Sequence, residues 1–179
     1  MKTAGAFGLV VAAGMAAGAA TVLSPPSENS WENPQFVARF LGTYGFDTAV
    51  NPGISAEEKA VFEKIVPLMQ SQPAAAVAQL KAATTPKSSA ALDFTLGNLE
   101  FQARNTDAAA GHYQAALQKF PNFLRAHKNL GRLHLQQGRS KEGLPHLLRV
   151  VELGGAEGDI FGLIGFCYLQ AGAVSSALD

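Results

Sequence analysis

His127 and His134 stand at i, i+7, a spacing that on a helix turns both imidazoles to one face and invites a metal reading. Two more histidines, His112 and His146, lie 34 residues apart. The single cysteine, Cys167, is the one possible thiolate, and alone it excludes an intrachain disulfide. It sits between Phe166 and Tyr168 in an apolar stretch, where a thiol packs as a small hydrophobe and is not activated as a nucleophile. No nucleophile elbow, phosphate-binding loop or paired-cysteine metal motif occurs. These residues lead us to expect a chain that is no enzyme.

A different chemistry is written at Arg125, Lys128, Asn129 and Arg132. Their i, i+3, i+4, i+7 spacing lines three cations and an amide along one helix face. Arg grips a carboxylate bidentately and an Asn amide pairs with peptide backbone, so the stripe suits an acidic or C-terminal peptide. A solvated helix face is the plainer account of the same pattern. The stripe stands out because the 179-residue chain is neutral overall, with 14 Lys+Arg against 14 Asp+Glu. Aromatic residues are few and do not interleave with basic ones, so no nucleic-acid partner is expected.

The elements that must hold such a stripe follow a period. Gly97, Gly131 and Gly165 are 34 residues apart, each after an apolar residue, Leu96, Leu130 and Ile164. A fixed period of this length signals one helix pair, copied and stacked. In residues 90–123, Gly97 and Ala109 have almost no side chain, so two antiparallel helices can approach closely there. Tyr113 and Ala116, at i, i+3, fill the seam to the next unit, and Pro121 stops the second helix. Residues 124–157 repeat the frame with Gly138 in the turn and Gly143, Leu147, Val150 and Gly155 at the remaining offsets. A third unit begins at Gly158, with Ile164-Gly165, Tyr168, Gly172 and Ala177. Upstream, residues 56–89 read as a degenerate capping copy. There Ser55-x-x-Glu58 opens a helix predicted through about Met69. A second helix after Pro73 places Ala75 and Ala82 at the small-residue offsets. Residues 35–43 predict one more short helix, with Phe36, Val37, Phe40 and Leu41 on its apolar face.

Leu-Gly, then Ala, an aromatic residue, Ala and Pro at these offsets resemble the tetratricopeptide repeat. The resemblance implies an all-α fold, a right-handed α-solenoid of stacked antiparallel helix pairs, whose first helices line a concave groove. Projected onto that groove, the implied partner-binding residues are Asn98, Gln102, Arg125, Lys128, Asn129, Arg132 and Gln136. Phe94, Phe101, Asp159, Phe166 and Gln170 fall beside them. Asn98 and Asn129 match two positions of the carboxylate clamp found in some members of the family. Phe94 stands where the clamp's first lysine would be, and Asp159 and Leu163 stand where its third unit is basic, so a clamp is not expected. The same frame gives His127 and His134 the offsets of large packing residues, which argues for the core and against a metal. His112 and His146 share an offset on a second helix and are expected at solvent. No cofactor is implied.

Residues 1–23 combine Lys2, an uncharged run from Ala4 to Leu23 and small residues at Ala17-x-Ala19. This pattern is a signal peptide or an N-terminal membrane anchor. Either exports the body, because Lys2 is the only basic residue before Arg39. Residues 24–34, with Pro25, Pro26 and Pro34, read as a flexible tether. The expected location is extracytoplasmic, the periplasm in a Gram-negative cell, with membrane contact only through an uncleaved N-terminal segment. The third unit stops at Asp179 and leaves an apolar side open, as expected of a piece of a longer repeat protein or a chain that self-associates there. The expected function is a non-catalytic scaffold or adaptor of the cell envelope, binding a protein or peptide segment in its groove. The alternative is the accessory repeat region of a larger envelope machine or enzyme (secretion, assembly or TonB-type system) whose working domain lies beyond residue 179.

Overall fold

A computed structural model describes residues 47–155 and 158–171 of the chain. Among them lie eight α-helices and no strand: α1 (Ala56–Ile65), α2 (Leu68–Ser71), α3 (Pro73–Ala83), α4 (Ala90–Gln102), α5 (Thr106–Lys119), α6 (Leu124–Gln136), α7 (Ser140–Glu152) and α8 (Gly158–Gln170). The expected export signal, the tether, the helix over 35–43 and the end of the third unit lie outside the described residues. Among the described residues no helix is long and apolar enough to cross a membrane.

Local chemistry sets the helix ends. Ser55 Oγ accepts from the Glu58 N–H at 3.2 Å and Glu58 Oε2 accepts from the Ser55 N–H at 2.8 Å, which closes the capping box. The second Glu58 oxygen accepts the Ser89 N–H at 2.6 Å, and Ser89 Oγ caps α4 through the Ala91 N–H at 3.2 Å. One carboxylate thus ties together the starts of α1 and α4. The helix predicted through Met69 stops at Ile65 instead. Pro67 has no amide hydrogen to extend the ladder, and the chain restarts as the single turn of α2. On α3 the buried residues are Ala76 and Leu80; Ala75 is half-buried and Ala82 exposed, so the expected small-residue offsets are rotated away from the core.

Three helices end alike. Asn105 N–H donates to the Glu100 carbonyl at 2.9 Å, Arg139 N–H to His134 at 2.8 Å and Gly155 N–H to Val150 at 2.8 Å. This six-residue closure needs a left-handed residue just before the donor. Arg104 (φ 65), Gly138 (φ 72) and Gly154 (φ 84) supply it.

The helices stack as antiparallel pairs, with α4 against α5 and α6 against α7. Helix α4 is innermost: every residue from Ala90 to Gly97 is buried. Bare glycine surfaces let the pairs close. A Cβ on Gly97 would lie 2.5 Å from the Tyr113 ring, and one on Gly131 would lie 2.9 Å from the Leu147 side chain. Gly143 is tighter still, because its Cβ would lie 2.9 Å from the Gly131 carbonyl, backbone against backbone. One apolar cluster runs from Phe62 to Leu133, and a second, built on Leu147, Val150, Ile160, Ile164 and Cys167, joins α7 to α8. Cys167 is buried there as a free thiol whose pKa burial pushes up.

Candidate partner-binding groove

The first helices α4, α6 and α8 carry the residues projected onto the groove. Asn98 on α4 and Asn129 on α6 meet directly: Asn129 Nδ2 donates to Asn98 Oδ1 at 3.0 Å. The Tyr113 hydroxyl donates to the same oxygen at 2.9 Å, from α5. Burial pushes the Tyr113 hydroxyl pKa far above its ordinary value, so it remains a donor. Two consecutive pairs are therefore joined by a three-residue polar contact, and both amides are half-buried.

The cationic stripe does not stay together. Arg125 lies with its guanidinium carbon 5.3 Å from the Phe94 ring centre and 5.5 Å from that of Phe123, a cation–π seat over two buried rings. Those rings are 4.8 Å apart, and Phe94 belongs to the core where groove exposure was projected. Arg132 is ion-paired with Asp159 of α8, and the two side chains remain 33% and 46% exposed. Lys128 is half-buried. Beside the Arg132–Asp159 pair, Leu135, Gln136 and Leu163 complete an open hollow between α6 and α8. Gln102 and Gln136 are exposed at matching offsets. Gln170, one period further, accepts instead from Ser140 Oγ of α7. Phe101 packs against the larger core, whereas Phe166 is 45% exposed. With Phe161 and Leu169, it gives α8 an apolar outer surface.

The histidines depart in part from expectation. His134 is buried and His127 half-buried, in line with packing offsets. His146, expected at solvent, is half-buried against both of them, and His112 is half-buried as well. The shared offset that set His112 and His146 on a second helix also turns them toward the first helix of the same pair. Among the described residues no group of three or more His, Cys, Asp or Glu is placed to hold a metal ion. The seat of Arg125 and the Arg132–Asp159 pairing were not legible in the sequence. Each joins residues on different elements, and only the 27-residue separation of Arg132 and Asp159, shorter than one period, hinted at a neighbouring first helix.

Residues 94–159 match the tetratricopeptide repeat family. No curated protein matches the sequence significantly. Solved structures of MamA resemble the chain in fold. One described as MamA protein is 19% identical, with 67% of each chain covered and a TM-score of 0.58. A double mutant of MamA RS-1 is 18% identical over 70% of this chain and 71% of its own, at a TM-score of 0.61. MamA MSR-1 is 18% identical over 84% of each chain, at 0.57. At these identities the likeness is one of fold, and no enzymatic family is indicated.

Proposed function

We propose that this chain, a helical protein-interaction scaffold with tetratricopeptide sequence over residues 94–159, holds a protein or peptide segment along α4, α6 and α8. The observation that carries this reading is the Asn98–Asn129 contact. It uses the Asn98 oxygen and the Asn129 amide nitrogen. Asn98 Nδ2 and Asn129 Oδ1 then remain to donate to and accept from the backbone of an extended segment. Arg132 adds selectivity for an acidic residue. Its pairing with Asp159 is half-exposed, and such pairs are worth about 0–1 kcal/mol, so a partner carboxylate can take the place of Asp159 at little cost. The scaffold is non-catalytic. We place its body outside the cytoplasm, in the cell envelope, on the pattern of Lys2 and the apolar run from Ala4 to Leu23.

Exchanging Lys128→Glu together with Arg132→Glu is expected to abolish capture of the native partner from an envelope fraction while leaving the helical circular-dichroism signal intact. Asp159→Asn, which releases Arg132, is expected to strengthen the same capture. Capture that is unchanged in the double variant would remove the groove from the binding site.

A further inference from the structure

Two offsets on the first helices carry polar groups in the interior. On α4 they hold Asp93 and Glu100, each 5% exposed. Both are tied to lysines: Lys119 Nζ is 2.6 Å from Asp93 Oδ2, and Lys81 Nζ is 2.8 Å from Glu100 Oε1. Asn105 Nδ2 donates to the other Glu100 oxygen at 2.8 Å. One period of 34 residues later, on α6, the same two offsets hold His127 and His134. What meets them is a third histidine, His146 on α7. Its ring centre is 5.2 Å from that of His127 and 5.9 Å from that of His134, nearly parallel to the latter at 17°.

The hydrogen bonds define the protons. His127 Nε2 lies 2.9 Å from the Pro121 carbonyl, which can only accept, so Nε2 carries the hydrogen. His127 Nδ1 is then a lone pair, and it lies 3.0 Å from His146 Nδ1, which must donate to it. One added proton leaves this bond in place, with a single N–H shared between the two rings, but makes the half-buried pair a cation. With both rings protonated, two N–H groups would stand head to head at 3.0 Å. A proton added to His146 would go to Nε2, on the ring stacked against His134. His134 Nδ1 is itself buried with no hydrogen-bond partner.

The charged neighbours do not favour a cation here. Arg149 and Glu152 of α7, which act on His127, are paired with each other at 2.6 Å, and Arg149 also donates to Asn122 at 2.7 Å. Arg139, which precedes α7, and Glu142, in its first turn, act on His134 with opposite signs. From the α5–α6 connection, the Pro121 carbonyl is the group that faces His127.

We infer that the His127–His146–His134 contact is a proton-operated latch between α6 and α7, which mild acid opens while the lysine-held pair α4–α5 stays closed. Burial holds all three imidazoles below their ordinary value of 6.5, and His146, beside the other two, is pushed furthest, to about 4. The sign follows directly. The opened state takes up protons near the ordinary value, the closed state only at lower pH, so the latch weakens as pH falls below about 6.5. Because α6 carries Asn129 and Arg132 on another face, opening it would also disturb the groove. That consequence rests on the proposed binding function; the latch itself does not.

Hydrogen exchange of the full-length protein, compared at pH 7.5 and 5.0 after correction for intrinsic rates, tests the latch. Peptides of α6 and α7 are expected to lose at least tenfold in protection at the lower pH, with those of α4 and α5 changed less than twofold. His146→Gln, which keeps a side-chain donor but does not titrate, is expected to shrink the acid-induced loss on α6 and α7 at least threefold. Should that variant not fold, the imidazole signals of the unsubstituted protein decide by NMR titration: His127, His134 and His146 are expected to titrate below the ordinary value of 6.5. Uniform loss over all helices, equal loss in the variant, or ordinary titration of the three imidazoles would each overturn the latch.

Discussion

Arg104 holds a left-handed backbone conformation (φ 65) that Gly138 holds one period later (φ 72). An L side chain in that region crowds the following carbonyl, and glycine does not. Nothing else about the two turns differs in kind: Asn105 and Arg139 close them with the same six-residue hydrogen bond. Arg104→Gly is therefore expected to stabilise the protein by about 1 kcal/mol, read as a higher midpoint in urea unfolding. A midpoint unchanged or lowered would mean that the Arg104 side chain contributes more than its backbone costs. At this scale some chemistry was legible in advance. The capping box of Ser55 and Glu58 and the burial of Cys167 and His134 followed from local pattern. The fate of the cations did not. Arg125, Lys128 and Arg132 share one helix face by spacing, yet an aromatic seat takes the first and a carboxylate of the next helix takes the third. A stripe on one helix has no information about what the neighbouring helix offers it.

Between elements, the glycines sort into two classes. Gly143 on α7 faces the Gly131 carbonyl of α6, where an added Cβ would lie 2.9 Å from backbone that cannot step aside. Gly111 on α5 is exposed, and an added Cβ there would meet nothing within 4 Å. The two alanine substitutions should consequently have opposite signs. Gly143→Ala forces α6 and α7 apart and is expected to destabilise by about 1–3 kcal/mol, despite its better helix propensity. Gly111→Ala keeps only the propensity and is expected to stabilise by about 0.5–1 kcal/mol. Thermal melts of both check the pair; a common sign would contradict the close approach of α6 and α7. The same comparison explains where element prediction slipped. Pro67 split one expected helix into α1 and α2, and α3 turned Ala76 and Leu80 inward rather than Ala75 and Ala82. In the degenerate unit the period no longer dictates which face is apolar, so packing against α1 and α4 does.

Over the whole molecule, the stack presents different chemistry at equivalent places. The Lys119–Asp93 ion pair holds α4 to α5, the Lys81–Glu100 pair holds α3 to α4, and histidines meet between α6 and α7. The groove side passes from paired amides on α4 and α6 to an ion pair and then to exposed Phe166 on α8. A segment bound along it, as proposed, would meet amides, a cation and an apolar surface in that order. The proposed envelope location belongs to this scale too. A phosphatase reporter joined after Ser30 is expected to be exported and active, and a reporter retained in the cytoplasm would overturn the location. By itself the sequence determined the helical repeat, its 34-residue frame and the small residues at the pair contacts. Those properties repeat, and repetition makes a weak local signal readable three times over. Only the tertiary structure decided that Arg125 packs on Phe94 and Phe123, that Asn98 and Asn129 meet, and that His146 closes on His127 and His134. Each of those contacts joins two helices, and its energy depends on angstrom-scale distances that a one-dimensional pattern does not contain.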